Sequence, residues 1–412
     1  MSGRGLRFGM LLLGLAGLAA CGGSANNGGG NNNSGGGGGT PAVNNSQPVV
    51  SNLGIEGNYA DGLFTNVIVC VPGTSNCQTI DNVLVDTGSF GLRLVSSAVT
   101  LSLPQSKDSS GNAIGECTQF ADSFNWGPVV TADVQLAGEK ATNVPMQVLG
   151  SASFPTAPSD CTDGGLAEND SVATLGANGI LGIGVFRHDC GDACAPPQTT
   201  VPAVYFSCAT STCTPALVAV DAQVQNPIWL LTQDNNGVAI TLPSVGANGA
   251  PSASGTLTLG VNTESNNQLG SAAILLADPG SGGFATVFQQ NNFADSILDS
   301  GSNAFFFLDN TATNLPLCAA PNDSFYCPTA STNFQAVNQS ATGSGSSTVS
   351  PVQWSIANAL DLFNTGNAAF NNLGGPNPGS FDFGLPFFFG RTVFVGINGT
   401  TAGPNAGPFF AY

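Results

Sequence analysis

Val83-Leu84-Val85-Asp86-Thr87-Gly88-Ser89 decides how this chain is read, together with its echo in the second half, Ser296-Ile297-Leu298-Asp299-Ser300-Gly301-Ser302. In each, an aspartate ends an apolar β-type run and is followed by a hydroxyl residue, a glycine and a serine. The duplication predicts two half-sites that face each other. A carboxylate on a stiff strand end, turned by a glycine without a Cβ, can be held against a second carboxylate from an equivalent loop. Like charges at such a separation cannot both ionise cheaply, so the pair shares one proton. One member is then a general base and the other a general acid, together fit to activate a water.

The rest of the composition leaves room for this chemistry and little for others. The 412 residues suffice for two lobes with separate cores. His188 is the single histidine, so a Ser-His-Asp triad or Cys-His pair would have to use it, and it sits in a cysteine-rich loop with no nucleophile motif. Charged residues are only 8%, yet the one long apolar run lies at the extreme N-terminus. Residues 1–21 read as a signal peptide, with Arg4 and Arg7 as the positive region and Met10 to Leu18 too short to span a bilayer. The segment ends Leu18-Ala19-Ala20-Cys21, which resembles a bacterial lipoprotein box with Cys21 as the acylated residue. Removing it leaves 7 − 2 = 5 basic against 25 acidic residues, a formal −20, which disfavours nucleic acid and anionic headgroups as partners. The expected membrane contact is through the lipid on Cys21 alone, at the cell envelope.

Eleven cysteines minus Cys21 leave ten, an even number suited to an oxidising compartment. Closeness in sequence suggests Cys70 with Cys77, Cys190 with Cys194, Cys208 with Cys213 and Cys318 with Cys327, leaving Cys117 and Cys161 for each other. Adjacency alone does not fix connectivity. The competing use is a metal site at His188, Cys190 and Cys194 with Cys208 or Cys213; the exported context favours disulfides, and neither metal nor cofactor is expected.

Residues 22–47 form a Gly/Asn-rich stretch read as a flexible tether, with an r.m.s. reach of roughly 25–30 Å. No Lys or Arg occurs between Arg7 and Arg93, so no basic prosegment is expected. From Gly62 onward short β-rich runs alternate with Gly, Asn, Ser and Pro turns, among them Phe64 to Val69 and Val130 to Leu136. Helical patterning is scarce, and its better candidates are the region around Ala216 to Val224 and Ile356 to Phe363. A mainly β fold follows.

The chain resembles the bilobal, pepsin-like aspartic proteases over most of residues 60–400. That family braces each catalytic loop with two apolar residues and a glycine about ninety residues on. Here Gly179-Ile180-Leu181-Gly182-Ile183-Gly184 and Phe387-Phe388-Phe389-Gly390 are similar, at spacings of 182 − 86 = 96 and 390 − 299 = 91. The resemblance implies a two-lobed β-barrel fold with pseudo-twofold lobes, divided as 48–240 and 241–412. It implies a catalytic dyad of Asp86 and Asp299, with Thr87 and Ser300 bonding across the lobes. Ser89 and Ser302 would hold the outer carboxylate oxygens, and Gly88 and Gly301 would allow the tight loops. The cleft would take an extended peptide or protein substrate as an added strand, in a monomer. Residues from Phe120 through Gly138 resemble the family's flap hairpin, with Phe120 where the family has a tyrosine. Either the flap works by packing alone or Trp126 substitutes through its indole N–H. Gln225 to Leu231 resembles the crossover strand, and Gly255 to Gly260 an opening strand of the second lobe. Arg391 follows Gly390 where the family has an aspartate, so a cation could reach the pair or face solvent. A tethered, non-enzymatic binding module is the alternative function.

Overall fold

The computed structural model describes residues 45–162, 165–209, 212–345 and 348–412. The expected signal peptide, Cys21 and nearly all of the tether lie outside these residues. Ser46 and Gln47, at the end of the expected tether, belong to the first strand.

The first half contributes β1 (Ser46–Asn52), β2 (Gly62–Cys70), β3 (Cys77–Asp86), β4 (Phe90–Val95), β5 (Ala113–Gln119), β6 (Ser123–Leu136), β7 (Glu139–Leu149), β8 (Ala167–Glu168), α1 (Val172–Leu175), β9 (Gly179–Ile183), β10 (Tyr205–Ala209) and β11 (Thr212–Pro215). The second contributes β12 (Gly237–Thr241), β13 (Ala253–Leu259), β14 (Ile274–Leu276), β15 (Phe284–Phe288), β16 (Asn291–Leu298), β17 (Phe305–Leu308), α2 (Asn310–Thr313), β18 (Thr332–Gln339), β19 (Val349–Ile356), α3 (Ala359–Phe363), β20 (Gly374–Gly375), β21 (Asn377–Phe383), α4 (Leu385–Phe388), β22 (Thr392–Gly396), β23 (Thr401–Ala402), β24 (Asn405–Ala406) and β25 (Phe409–Ala411). The fold is mainly β and two-lobed, as expected.

In the first lobe the order β2-β3-β9-β4-β7-β6 closes on itself through the β6–β2 pairing. Closure leaves no free edge and encloses a core of Val67, Val69, Val83, Val85, Leu92, Leu94, Ala132, Val144, Met146 and Leu181. Strands β3 and β9 run parallel and are apolar on both faces near Asp86, which is why Val83-Leu84-Val85 and Ile180-Leu181 read as unbroken apolar runs. The second lobe is a seven-stranded sheet, β19-β18-β15-β16-β21-β17-β20. Its core is aromatic: Phe305, Phe307, Trp354, Phe381 and Phe383 lie with neighbouring ring centroids 5.3–6.3 Å apart. Truncating one such Phe to Ala costs about 3–5 kcal/mol.

The two lobes repeat one motif. β3 pairs parallel with β9, and β9 pairs antiparallel with β4. Likewise β16 pairs parallel with β21, and β21 antiparallel with β17. A shared sheet, β1-β13-β12-β22-β25-β14, joins the halves, and β1 pairs with β2 on its other side. Residues 240 and 241, where the lobes were divided, both lie inside β12.

Three local expectations change. Gln225–Leu231 is not a strand: Pro227–Leu230 form a 3-10 turn, started by Pro at its first position and capped by Asn226, which accepts from the Ile228 amide at 3.0 Å. Ala216–Val224 holds only a 3-10 turn at Val220–Ala222, whereas Ile356–Phe363 does contain α3. The brace of the second loop is misplaced, as its strand pairing shows. Asp86 pairs with Gly182, and Leu298 pairs with Phe383, which sets Asp299 beside Gly384. The counterpart of Ile180-Leu181-Gly182 is therefore Asp382-Phe383-Gly384, at 384 − 299 = 85. A Cβ on Gly182 would meet the Gly91 carbonyl at 2.8 Å, and one on Gly384 the Ala304 carbonyl at 2.2 Å, the fifth residue after each aspartate. Phe387-Phe388-Phe389-Gly390 instead begins within α4 and runs past its end.

All five disulfides join the cysteines paired by closeness: Cys70–Cys77, Cys117–Cys161, Cys190–Cys194, Cys208–Cys213 and Cys318–Cys327. Cys190, Cys194, Cys208 and Cys213 are thus oxidised and offer no thiolates to a metal beside His188. Five disulfides suit an extracellular or periplasmic compartment.

Candidate active site

Asp86 closes β3 and Asp299 follows β16, and the motif repeat turns the two loops toward each other. Within each loop the aspartate is held by its own successors. Asp86 Oδ1 accepts from the amides of Gly88 (2.8 Å) and Ser89 (3.1 Å), and Oδ2 from the Ser89 hydroxyl (2.5 Å). Asp299 Oδ1 accepts from the Gly301 amide (2.7 Å), and Oδ2 from the Ser302 hydroxyl (2.9 Å). Between the loops the bonding is reciprocal. The Thr87 amide donates to Ser300 Oγ at 3.2 Å, and the Ser300 amide to Thr87 Oγ1 at 2.9 Å. The Thr87 hydroxyl donates to the Leu298 carbonyl at 2.8 Å, and the Ser300 hydroxyl to the Val85 carbonyl at 2.7 Å. The glycines are fixed by space: a Cβ on Gly88 would stand 2.5 Å from the Asp299 carboxyl carbon, and one on Gly301 2.6 Å from that of Asp86.

The two carboxyls face each other across the loops, since a Cβ on Gly301 would meet both the Asp86 carboxyl (2.6 Å) and Asp299 Oδ1 (3.1 Å), and both are 0% exposed. Burial pushes Asp86 up, while the Ser89 hydroxyl, Asp299 and the Gly88 and Ser89 amides pull it back. Burial drives Asp299 well above the carboxylate range, and the charges of Asp86 and Asp382 drive it further. Both carboxyls are thus held above the ordinary range, Asp299 further than Asp86, and the pair titrates as a unit that shares one proton.

Of the predicted site residues, Asp86, Thr87, Gly88, Ser89, Asp299, Ser300, Gly301 and Ser302 come together. Phe120 sits at the turn between β5 and β6, where its amide donates to the Ser123 carbonyl at 2.8 Å. Its ring is buried against Tyr59, Phe64, Leu84 and Ile180. Leu84 is two residues before Asp86, so this cluster lies on the face of β3 that carries the Asp86 side chain. The phenol of that cluster is Tyr59, edge-on to Phe64 at 5.5 Å. Trp126 does not replace the missing hydroxyl: its ring packs with Phe154 and Phe206, and its indole nitrogen has no hydrogen-bond partner among the described residues. Arg391 does not reach the pair either. It stacks 4.4 Å from the Phe387 ring centroid and donates to the Phe387 carbonyl at 2.6 Å.

Two features escaped the sequence reading. Arg93, on β4 seven residues after Asp86, is buried and reaches the hairpin. Its guanidinium binds Glu116 at 2.6 Å and Asp189 at 3.2 Å, and its Nε donates to Thr118 at 3.1 Å. This pins β5 to β4, and the Cys117–Cys161 disulfide ties β5 to the segment before β8. A lone Arg in an apolar run, Gly91-Leu92-Arg93-Leu94-Val95, was its visible signal. The second feature is Asp382, whose Oδ2 lies 2.5 Å from Ser302 Oγ. An acid inside Phe381-Asp382-Phe383-Gly384 was the signal, and it hid this segment from a search for two apolar residues before a glycine.

The pepsin-like two-lobed fold thus carries a complete set of loop contacts around two facing aspartates. No curated protein matches the chain. Among solved structures it is similar to an aspartic proteinase from Irpex lacteus, at 15% identity and a TM-score of 0.49, covering 89% of this chain and 96% of that one. By sequence, residues 41–412 match the model of a family described as protein of unknown function (DUF3443), and the chain belongs to that family.

Proposed function

We propose that the protein is an aspartic endopeptidase of the bacterial envelope, tethered through lipid on Cys21. The observation that carries this reading is the pair of buried aspartates turned toward each other, each held by the serine of its own loop and by the reciprocal Thr87–Ser300 bonds. A water between them gives a proton to the Asp86 carboxylate as its oxygen attacks a peptide carbonyl carbon. Asp299 gives its proton to the carbonyl oxygen, producing a neutral gem-diol. Collapse breaks the C–N bond, Asp86 returns its proton to the leaving nitrogen, and a diol hydroxyl returns one to Asp299. The substrate is an extended peptide laid between the lobes as an added strand.

A pepsin-like binding module without catalysis is the second reading. It is favoured by the complete burial of both carboxyls and by Phe120, which has no hydroxyl to offer the site. Cleavage of denatured casein or globin over roughly pH 3 to 7, with and without a statine-type inhibitor, separates the two. Acid-favoured cleavage suppressed by the inhibitor supports the endopeptidase; its absence at every pH in folded protein supports the binding module.

A further inference from the structure

Asp382 is a buried carboxyl that the hydrolytic cycle above leaves unused. It lies on β21, beside Ile297 of β16 and Phe306 of β17, and is 2% exposed. Ser302 Oγ is 2.5 Å from Asp382 Oδ2 and 2.9 Å from Asp299 Oδ2. A hydroxyl has one proton to give, so it cannot donate to both carboxyls, and one of them must donate to it. Asp299 already accepts from the Gly301 amide on its other oxygen. Among the described residues the other oxygen of Asp382 has no hydrogen-bond partner and no ion pair. A buried carboxylate with one oxygen bare is the costlier charge, so Asp382 is the acid that holds its proton.

We propose that Asp382 is a positioning residue of the dyad: as a carboxylic acid it donates to Ser302 Oγ, which turns the serine hydroxyl onto the outer oxygen of Asp299. The proposal rests on the hydrolytic reading and adds a regulatory term to it, the width of the pH window. The ionisable groups facing Asp382 are Asp299, through Ser302, and Asp86 across the loops. The flanking strands present Ile297, Leu298 and Phe305 to Phe307, none of which titrates. Any charge that forms on Asp382 as pH rises holds the proton more tightly on Asp299. A neutral residue at 382 therefore lets the dyad lose its shared proton at lower pH.

The test is the pH profile of kcat/KM for peptide cleavage in wild type and Asp382→Asn, whose amide still donates to Ser302 and cannot ionise. The alkaline limb should move to lower pH by about one pH unit. Asp382→Thr, a smaller non-ionising donor, must give the same displacement and serves if the amide variant does not fold. Calorimetric binding of a statine-type inhibitor across pH repeats the comparison without turnover. Cleavage by wild type with an unmoved limb in both variants overturns this inference alone. A wild type that neither cleaves nor binds the inhibitor overturns the hydrolytic reading, and this inference with it.

Discussion

Thr87 and Ser300 accept each other's amides, and each donates its hydroxyl to a carbonyl of the opposite aspartate-bearing strand, at four distances between 2.7 and 3.2 Å. Neither loop is complete alone, so the dyad's geometry is a property of the lobe interface. Thr87→Val keeps the shape and removes the hydroxyl, leaving the Ser300 amide without its acceptor. We expect a loss of about 1–3 kcal/mol in urea unfolding. In a double-mutant cycle with Ser300→Ala the two changes should couple by at least about 0.5 kcal/mol; strict additivity would mean the contacts are incidental.

Gly88 and Gly301 answer to space rather than to backbone angle. Gly88→Ala places a methyl where the Asp299 carboxyl stands, so one loop must retreat. The expected outcome is folded protein with activity reduced by about 10²-fold or more, since small displacements of reacting groups cost that much. Near-wild-type kcat/KM in Gly88→Ala would show that the loops separate freely.

Arg93 neutralises two buried acids at once, and Tyr205 donates to Asp189 at 2.5 Å beside them. Arg93→Met strands Glu116 and Asp189 in the core and should cost about 3–5 kcal/mol at pH 7. The penalty should shrink in acid, where Asp189, which burial already raises above the usual carboxylate range, takes up a proton. Thermal melts at pH 4 and pH 7 check this, and a penalty that is equal at both would exclude the ionic explanation.

Stability as a whole should favour acid. Burial raises Asp61, Asp86, Asp189, Asp299 and Asp382 above the usual carboxylate range. The folded protein then binds more protons than the unfolded chain as pH climbs past that range, so stability falls with rising pH. For Glu139, which burial and Asp234 push up to about 7, the loss runs from its ordinary 4.5 to about 7. Calorimetry should give a higher Tm near pH 4.5 than at pH 8. Asp61→Asn, which keeps the acceptor for the Phe370 amide, should raise Tm at pH 8 by several degrees and change it less in acid. A Tm that rises with pH would reverse this assignment.

The dyad and the loop residues around it were legible because local chain order creates them: the carboxylate, its turn glycine and its serine donor lie within four consecutive positions. What failed were contacts made by strand register. Gly384 and Asp382 reach Asp299 through β21, and a search by spacing stopped at Gly390, six residues too far along. Trp126 was a reasonable donor by sequence distance, but alternation along β6 sends its ring among Phe154 and Phe206. Arg93 sits in an apolar run whose partners come from β5 and from the loop before Cys190, so no linear pattern announces them.

The most direct measurement is peptide cleavage across roughly pH 3 to 7 by wild type, Asp86→Asn and Asp299→Asn, with each variant's fold checked by circular dichroism. The expected result is a fall of about 10²–10⁴-fold in kcat in each variant. Variants that cleave as fast as wild type, or a folded wild type as inert as both, would contradict the Asp86/Asp299 dyad.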